Sequence, residues 1–375
     1  MRAIVTALVL LVVGSAGALG ALNFDGVTSP YGFVTSLDFH GQTGCTSCQT
    51  GYVLRTTNGG VDWEKVTLPP ELIVAMFDVE VLDANKVVIV GSGHIAYSSD
   101  AGATWSDAGG SYFALPATQR GDLYRVSFDG DHGMAVGINR EGGPLTLLST
   151  DGGHTWSETA SPDPADLPAD GRWRAADVVY RSSGNSYVCG SGGRLFSWDG
   201  SAWHLHSLTT PAGTPHLVCL FPAPSGRLYV GTTDGYLISD RIASDWTAPT
   251  TKKIEPPAGA GNTIHALWLM EDARGKPQVI VSRFGNTPAV SWNGGTTWQE
   301  GVLSPPTAGL WCLAVRSRVS LAAGPARARP SLQIWVGGMG KAPTPAGLWR
   351  AVSTAPKLLE LAPGVIKPQP RSLPK

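Results

Sequence analysis

Ser98-Ser-Asp100-Ala-Gly102-Ala-Thr104-Trp105 is an octapeptide that returns, with small changes, along most of the chain. It reappears as Ser149-Thr-Asp151-Gly-Gly153-His-Thr155-Trp156, as Ser291-Trp-Asn293-Gly-Gly295-Thr-Thr297-Trp298 and as Thr56-Thr-Asn58-Gly-Gly60-Val-Asp62-Trp63. Two copies are eroded: Ser197-Trp-Asp199-Gly-Ser-Ala-Trp203 is one residue short, and Ser239-Asp-Arg-Ile-Ala-Ser-Asp245-Trp246 keeps little beyond its ends. The closing tryptophans are separated by 42, 51, 47, 43 and 52 residues. Such an interval holds four short strands and their turns, which is one blade of a propeller.

The residues upstream of each copy repeat as well. Phe77-Asp-Val-Glu-Val81, Lys86-Val-Val-Ile-Val90 and Ile95-Ala-Tyr97 precede one copy, while Tyr124-Arg-Val-Ser-Phe128, Met134-Ala-Val136 and Leu145-Thr-Leu-Leu148 precede the next. Comparable first strands begin near Phe33, Phe77, Tyr124, Arg174, Leu217, Ile264 and Trp311, which makes seven units. The seventh has Ile334-Trp-Val336 and Gly347-Leu-Trp349 but no octapeptide, as expected of a terminal repeat that closes a ring. The reading is an all-β chain: a single seven-bladed β-propeller of four-stranded antiparallel blades over residues 22–361, with residues from Leu22 to Val27 as a candidate extra strand at the seam.

Each octapeptide lies between two β-rich runs and reads as the turn joining a blade's third and fourth strands. Asp or Asn accepts backbone N–H groups within such a turn, and Gly supplies a positive φ at no steric cost. Trp adds a large apolar plate whose indole N–H needs a partner. Groups that recur from blade to blade build a fold; a catalytic site needs asymmetry. Asn58, Gly60, Trp63, Asp100, Gly102, Trp105, Asp151, Gly153, Trp156, Asp199, Trp203, Trp246, Asn293, Gly295 and Trp298 are therefore assigned structural work.

Arg2, the apolar run from Ala3 to Val13 and the small residues around Ala18 to Ala21 read as a signal peptide over residues 1–21. The run is too short to span a bilayer, so the expectation is an exported, monomeric protein with no stable membrane insertion after cleavage. The Pro-rich stretch 362–375 is expected to be a disordered tail. A net charge of −1 with only 15% charged residues gives no footprint for nucleic acid or an anionic membrane, so partners are recognised by shape and local chemistry.

Five cysteines leave at least one thiol unpaired within the chain. Cys45 and Cys48 form a Cys-x-x-Cys for which a small loop disulfide is the expectation. Two free thiols, or a redox or metal half-site lacking the helix or the second ligand pair it would need, are the alternatives. Cys189, Cys219 and Cys312 fall in apolar runs and read as small buried hydrophobes.

At these repeated turns the chain resembles the Asp-box (BNR) repeat superfamily, over nearly all of residues 30–361. Leu54-Arg-Thr-Thr-Asn-Gly-Gly-Val-Asp-Trp63 is most similar to the photosystem II stability/assembly factor family, and that resemblance implies a seven-bladed lumenal or periplasmic propeller that binds a protein partner during assembly of a membrane complex. The family is associated with a basic surface patch. The nearest counterpart here is Arg316, Arg318, Arg327 and Arg329, in or near the loop after the seventh unit's first strand; they align with no family motif and stand as candidate partner-binding residues beside the plainer reading of a solvated loop. Sialidases, xyloglucan-active glycosidases and sortilin-type receptors share such repeats, so the motif speaks for fold more than for function.

No catalytic residue is assigned. The sialidase Arg-Ile-Pro signature is absent, and Arg125, Arg172 and Arg283 read as ordinary surface pairing. A glycosidase would need two carboxylates across a cleft, and Asp38, Glu80, Asp83, Asp129, Asp131, Glu271 and Asp272 lie near ends of inner strands where turns also carry Asp. His204 and His206 share a strand face without a third ligand, so no metal is assigned. No phosphate loop or dinucleotide fingerprint occurs in strand-to-helix context, so no cofactor is assigned either. A carbohydrate-active enzyme or a passive extracellular glycan-binding module remains the alternative to partner binding.

Overall fold

The computed structural model describes residues 22–26, 34–49, 51–116, 119–168, 175–242, 244–257, 260–304, 307–320, 327–340, 348–355 and 359–360. The expected leader and tail lie outside these residues. The chain folds into a seven-bladed β-propeller. Its inner strands are Val34–His40, Met76–Val81, Asp122–Asp129, Ala175–Val179, Leu217–Pro222, Ile264–Glu271 and Thr307–Ser320, one for each unit read from the sequence. Every inner strand pairs antiparallel with the next strand and carries the same defect, a bulge at which the ladder register skips Thr35, Phe77, Tyr124, Ala176, Val218, His265 and Trp311 in turn. A bulge bends a strand and re-aims its side chains. Five of these residues, Thr35, Ala176, Val218, His265 and Trp311, line the axial cavity.

Blades 1 to 5 are separate four-stranded sheets, in chain order from the axis outward. Blade 7 is assembled from both ends of the described chain. Leu22–Gly26 pairs antiparallel with Leu348–Thr354, matching Asp25 to Arg350, and so supplies the fourth strand. The same strand runs parallel to Gln299–Ser304 of blade 6, with Leu22 opposite Gly301. The seam strand expected from the sequence is thus in place. Among the described residues no helix is long and apolar enough to cross a membrane.

Apolar clusters sit between neighbouring blades. Val88 and Val90 of blade 2 pack with Leu123, Val126 and Trp156 of blade 3, and Cys48 of blade 1 packs with Cys312 and Trp335 of blade 7. Each blade therefore buries both faces, and the all-apolar stretch Val87–Val90 has no exposed side to alternate with.

The loop disulfide does not form: all five cysteines are free and buried. Cys45 and Cys48 occupy one strand, Thr43–Cys48, in place of a loop. Residues three apart on a strand project to opposite faces. Cys45 accordingly packs toward blade 2, beside Met76 and Val79, while Cys48 packs toward blade 7. Burial pushes the Cys48 thiol up to about 12, and burial followed by repulsion from Cys48 pushes Cys45 up as well, so neither is a reactive thiolate. Cys189, Cys219 and Cys312 are buried in apolar surroundings as read.

Candidate functional site

The repeated turns sit at the third-to-fourth strand hairpins, and none of their assigned residues lines the axial cavity. In blade 3 the Ser149 hydroxyl donates to Asp151 Oδ1 and accepts from Gly153 N, both at 2.9 Å. Asp151 also accepts the Thr155 amide at 2.9 Å and the Thr155 hydroxyl at 2.6 Å. Blade 2 repeats these bonds with Ser98, Asp100, Gly102 and Thr104. Blades 1 and 6 repeat them with Asn58 and Asn293, whose side-chain amides donate to Asp62 and Thr297 in place of accepting a hydroxyl. Burial works against ionisation of Asp100 and Asp151, but the Thr hydroxyl and amide and the Ser hydroxyl outweigh it and hold both carboxyls below the ordinary range.

The tryptophans divide by what their indoles reach. Trp105 and Trp156 donate at 2.9 Å to Gly102 O and Gly153 O within their own turns. Trp203 and Trp298 donate at 2.8 and 2.7 Å to Ala160 O and Glu255 O, in the connections that precede their blades. Trp63 and Trp246 have buried indole nitrogens without a partner among the described residues. In the shortened fourth copy Asp199 accepts Ser201 N and Ala202 N, and the His204 imidazole, the largest influence, holds its carboxyl far below the ordinary range.

The glycines explain how these turns meet neighbouring blades. Gly60 and Gly153 have φ of +81° and +89°, and a Cβ there would stand 2.3 Å from the Trp335 ring and 2.4 Å from Val88 Cγ2. Gly102 shares the positive φ but would meet nothing closer than 3.4 Å.

Asymmetry appears on the axis, in a cavity of about 620 Å³. Blades 1 to 4 present Ser36, Asp38, Asp78, Arg125, Ser127 and Asp177 to it, whereas blades 5 to 7 present Val218, Cys219, Phe221, Leu267, Trp268 and Trp311. The polar groups also bridge adjacent inner strands, which form no ladder with one another among the described residues. Asp38 accepts Val81 N at 2.9 Å; Asp78 accepts the Ser36 hydroxyl at 2.7 Å and Val126 N at 3.1 Å; Asp177 accepts Leu220 N at 2.8 Å. Arg125 donates to Ala176 O at 2.8 Å. Arg283 is buried between blades 6 and 7, where it donates to Leu310 O and Trp311 O; burial first, and the Arg125 charge among the lesser causes, bring its guanidinium down to about 10. Burial and then Arg283 lower His265 to about 4, leaving a neutral imidazole on the cavity wall at neutral pH. Arg125 and Arg283 are thus axial and interior, not surface-paired as the sequence reading had them.

The carboxylates singled out for a glycosidase have other partners. Asp83 and Asp272 accept amides of their own turns, Asp129 accepts Ser182 N, and Asp131 pairs with Lys86 at 2.6 Å. Glu271 is fully buried and accepts the Ser225 and Tyr229 hydroxyls; that bond, after burial, raises the Tyr229 phenol. His204 and His206 turn to Asp199 and to Ser197 and Asp245 O.

The four candidate arginines belong to strands, not to a loop. The first two strands of blade 7, Thr307–Ser320 and Arg327–Gly340, are 14 residues each, where the corresponding strands elsewhere have five to eight. Arg318 stands opposite Ser331, Arg329 opposite Ser320, and Arg327 opposite Glu360. Arg316 is tied to blade 1: its guanidinium donates to Gly59 O at 2.7 Å and lies over the Phe39 ring. Arg316, Ser317 and Gln333 border the axial cavity, so the long hairpin stands beside it. Sequence reasoning missed Ser36, Asp78, Asp177 and Trp268 as cavity residues; the signal was position in the first strand, with Ser36, Asp78 and Asp177 one residue after the bulge and Trp268 three after it.

No family model and no curated protein sequence matches the chain. Solved structures do. The chain is similar to YCF48 bound to D1 peptide, at 17% identity and a TM-score of 0.59, over 90% of this chain and 99% of that one. It is similar to YCF48 from Cyanidioschyzon merolae at 17% identity and 0.57, over 88% and 98% of the two chains. It is also similar to the GH74 xyloglucanase from Xanthomonas campestris, at 16% identity and 0.56, over 87% of this chain and 55% of that one. At such identities the likeness concerns the propeller fold, which hosts unrelated functions.

Proposed function

We propose that this chain is an exported Asp-box propeller that binds a protein partner through the long hairpin of blade 7, in the manner of an assembly or stability factor for a membrane complex. The observation that carries the reading is the break in sevenfold sameness. Six blades have short first hairpins, whereas the seventh extends its own by Ser317–Ser320 past the position matching His40, about 13 Å at 3.3 Å per residue, and places Arg318, Arg327 and Arg329 on it. A propeller solved with a bound peptide is among the structures with this fold, which supports the same reading.

Native pull-down from membranes of the source organism, read by mass spectrometry, tests it. The wild-type chain should recover a membrane-complex subunit that the triple variant Arg318→Glu, Arg327→Glu, Arg329→Glu loses at unchanged melting temperature. Recovery of no such subunit, or equal recovery by both chains, sinks the reading. The alternative is a carbohydrate-active enzyme or glycan-binding module, supported by the shared fold with a xyloglucanase. It has to account for the prior engagement of Asp38, Asp78 and Asp177 by amides of neighbouring blades. Release of sugar from a panel of sialosides and β-glucans decides for it.

A further inference from the structure

The axial cavity is divided lengthwise. Its 620 Å³ is within the usual size of small-molecule pockets, which run from about 300 to 1,000 Å³. On one side Asp78, Arg125 and Asp177 occupy the same position, next after the bulge, in three successive blades. Their charges alternate. On the other side Val218, Phe221, Leu267, Trp268 and Trp311 form an apolar arc beside the His265 ring, bordered in blade 7 by Arg316, Ser317 and Gln333, with Phe221 and Trp268 edge to face at 6.5 Å and Trp311 53% exposed.

Arg125 is held in place by the bonds from Nε to Ala176 O and from Nη1 to Tyr124 O. Its Nη2 has no hydrogen-bond partner among the described residues, so a planar donor group is positioned on the wall and left for a guest. A simple anion there would also meet Asp78 and Asp177 on either side, and a simple cation would cover the open N–H groups of Arg125 without satisfying them, which is costly in a partly buried site. A guest that carries both signs close together avoids both penalties. Its remaining part must be apolar to lie against blades 5 to 7.

We propose that the axial cavity binds a small apolar zwitterion of the amino-acid class, an aliphatic or aromatic amino acid or a short peptide of them. The carboxylate lies on Arg125, the ammonium faces the negative charge of Asp177, which its backbone-amide bonds leave in place, and the side chain lies on the arc around Trp268. Planar guanidinium groups suit carboxylates, and an aromatic plate suits an apolar side chain without demanding one shape. This site does not depend on the partner reading of the hairpin.

Titration calorimetry on the purified chain tests the proposal with phenylalanine, leucine and the dipeptide Leu-Phe as probes. N-acetylphenylalanine lacks the ammonium, phenylalaninamide lacks the carboxylate, and octanoate and cellotetraose stand for an apolar acid and a neutral sugar. The free zwitterions should bind, and each blocked form should bind about tenfold more weakly or worse. Arg125→Gln and Trp268→Leu should each abolish the heat in protein that still unfolds cooperatively, while Arg329→Glu should leave it intact. Blocked forms that bind as well as phenylalanine, tighter binding of octanoate or cellotetraose, or no binding by any zwitterion would overturn the proposal. The blocked ligands keep the test decisive even where a variant fails to fold.

Discussion

The turns that end blades 3 and 5 hold the same place in the ring and are built differently. Blade 3 has Ser149, Asp151 and Thr155 bonded in one network, with the Trp156 indole closed onto Gly153 O. In blade 5 the Asp245 side chain has only local bonds, to Thr247, while its carbonyl meets the His206 ring of blade 4; Trp246 sits at a φ of +55°, rare for a bulky residue, with no partner for its indole nitrogen among the described residues. Both tryptophans are nonetheless buried, Trp156 against Phe128 and Trp246 against Tyr187 of blade 4. Apolar burial is thus the shared part of the device, and the polar network that shapes the turn is the dispensable part. Replacing either tryptophan by Ala should cost about 3–5 kcal/mol in urea unfolding, with the smaller loss at Trp246. Replacement by Phe separates the sites further. Trp156→Phe gives up a bond and should cost about 1–2 kcal/mol, whereas Trp246→Phe removes an unpaired donor and should be close to neutral. Equal losses at both sites would mean that the indole bonds contribute nothing.

The glycines sharpen the same contrast within intact turns. Gly102→Ala and Gly153→Ala both put a side chain at positive φ, a strain of about 1 kcal/mol. Only the second drives a Cβ into Val88 of the neighbouring blade, at 2.4 Å. Thermal unfolding should therefore show Gly153→Ala less stable than Gly102→Ala by about 1–2 kcal/mol. A reversed order would mean that blade 2 yields to the added methyl more readily than the packing around Val88 implies.

The repeats made the ring legible because each copy states a local rule, an acceptor and a glycine in a turn followed by an apolar plate. Seven units and the extra strand at Leu22 followed from that. Cys45 and Cys48 were misplaced because Thr43–Cys48 is polar and small, which reads as a turn until the buried faces on either side are known. Reduction should leave the intact mass unchanged, and the thiols should react with a disulfide reagent only on unfolding; a gain of two hydrogens on reduction would restore the bond. Arg316 was legible as a candidate but not as a tie to Gly59, since those residues come from opposite ends of the chain. The axial cavity was the least legible part. Its residues recur only at set positions after each bulge, and the apolar arc of Val218, Phe221, Leu267, Trp268 and Trp311 facing Asp78, Arg125 and Asp177 exists once the blades are arranged in a circle.

The smallest effect tests whether Asp and Asn are equivalent in the turn. Asn293 reproduces the bonds of Asp151 to the Ser hydroxyl and the Thr amide, and reverses only the bond to the Thr hydroxyl. Asp151→Asn should accordingly change stability at pH 7 by less than about 1 kcal/mol. Acid should expose the difference. The folded Asp151 carboxyl titrates below its ordinary value of 3.8, so the unfolded chain binds the proton first as pH falls. The stabilisation from the ionised form is complete above that value and is lost as pH drops through the lower folded one. An Asn cannot titrate, so the variant should lose less stability than wild type between about pH 5 and pH 2. Asp100 is held down by the same donors, and the double variant with Asp100→Asn should flatten the acid limb further. Parallel acid limbs for wild type and double variant would show that the turns contribute through packing alone, with their carboxylates playing no electrostatic part.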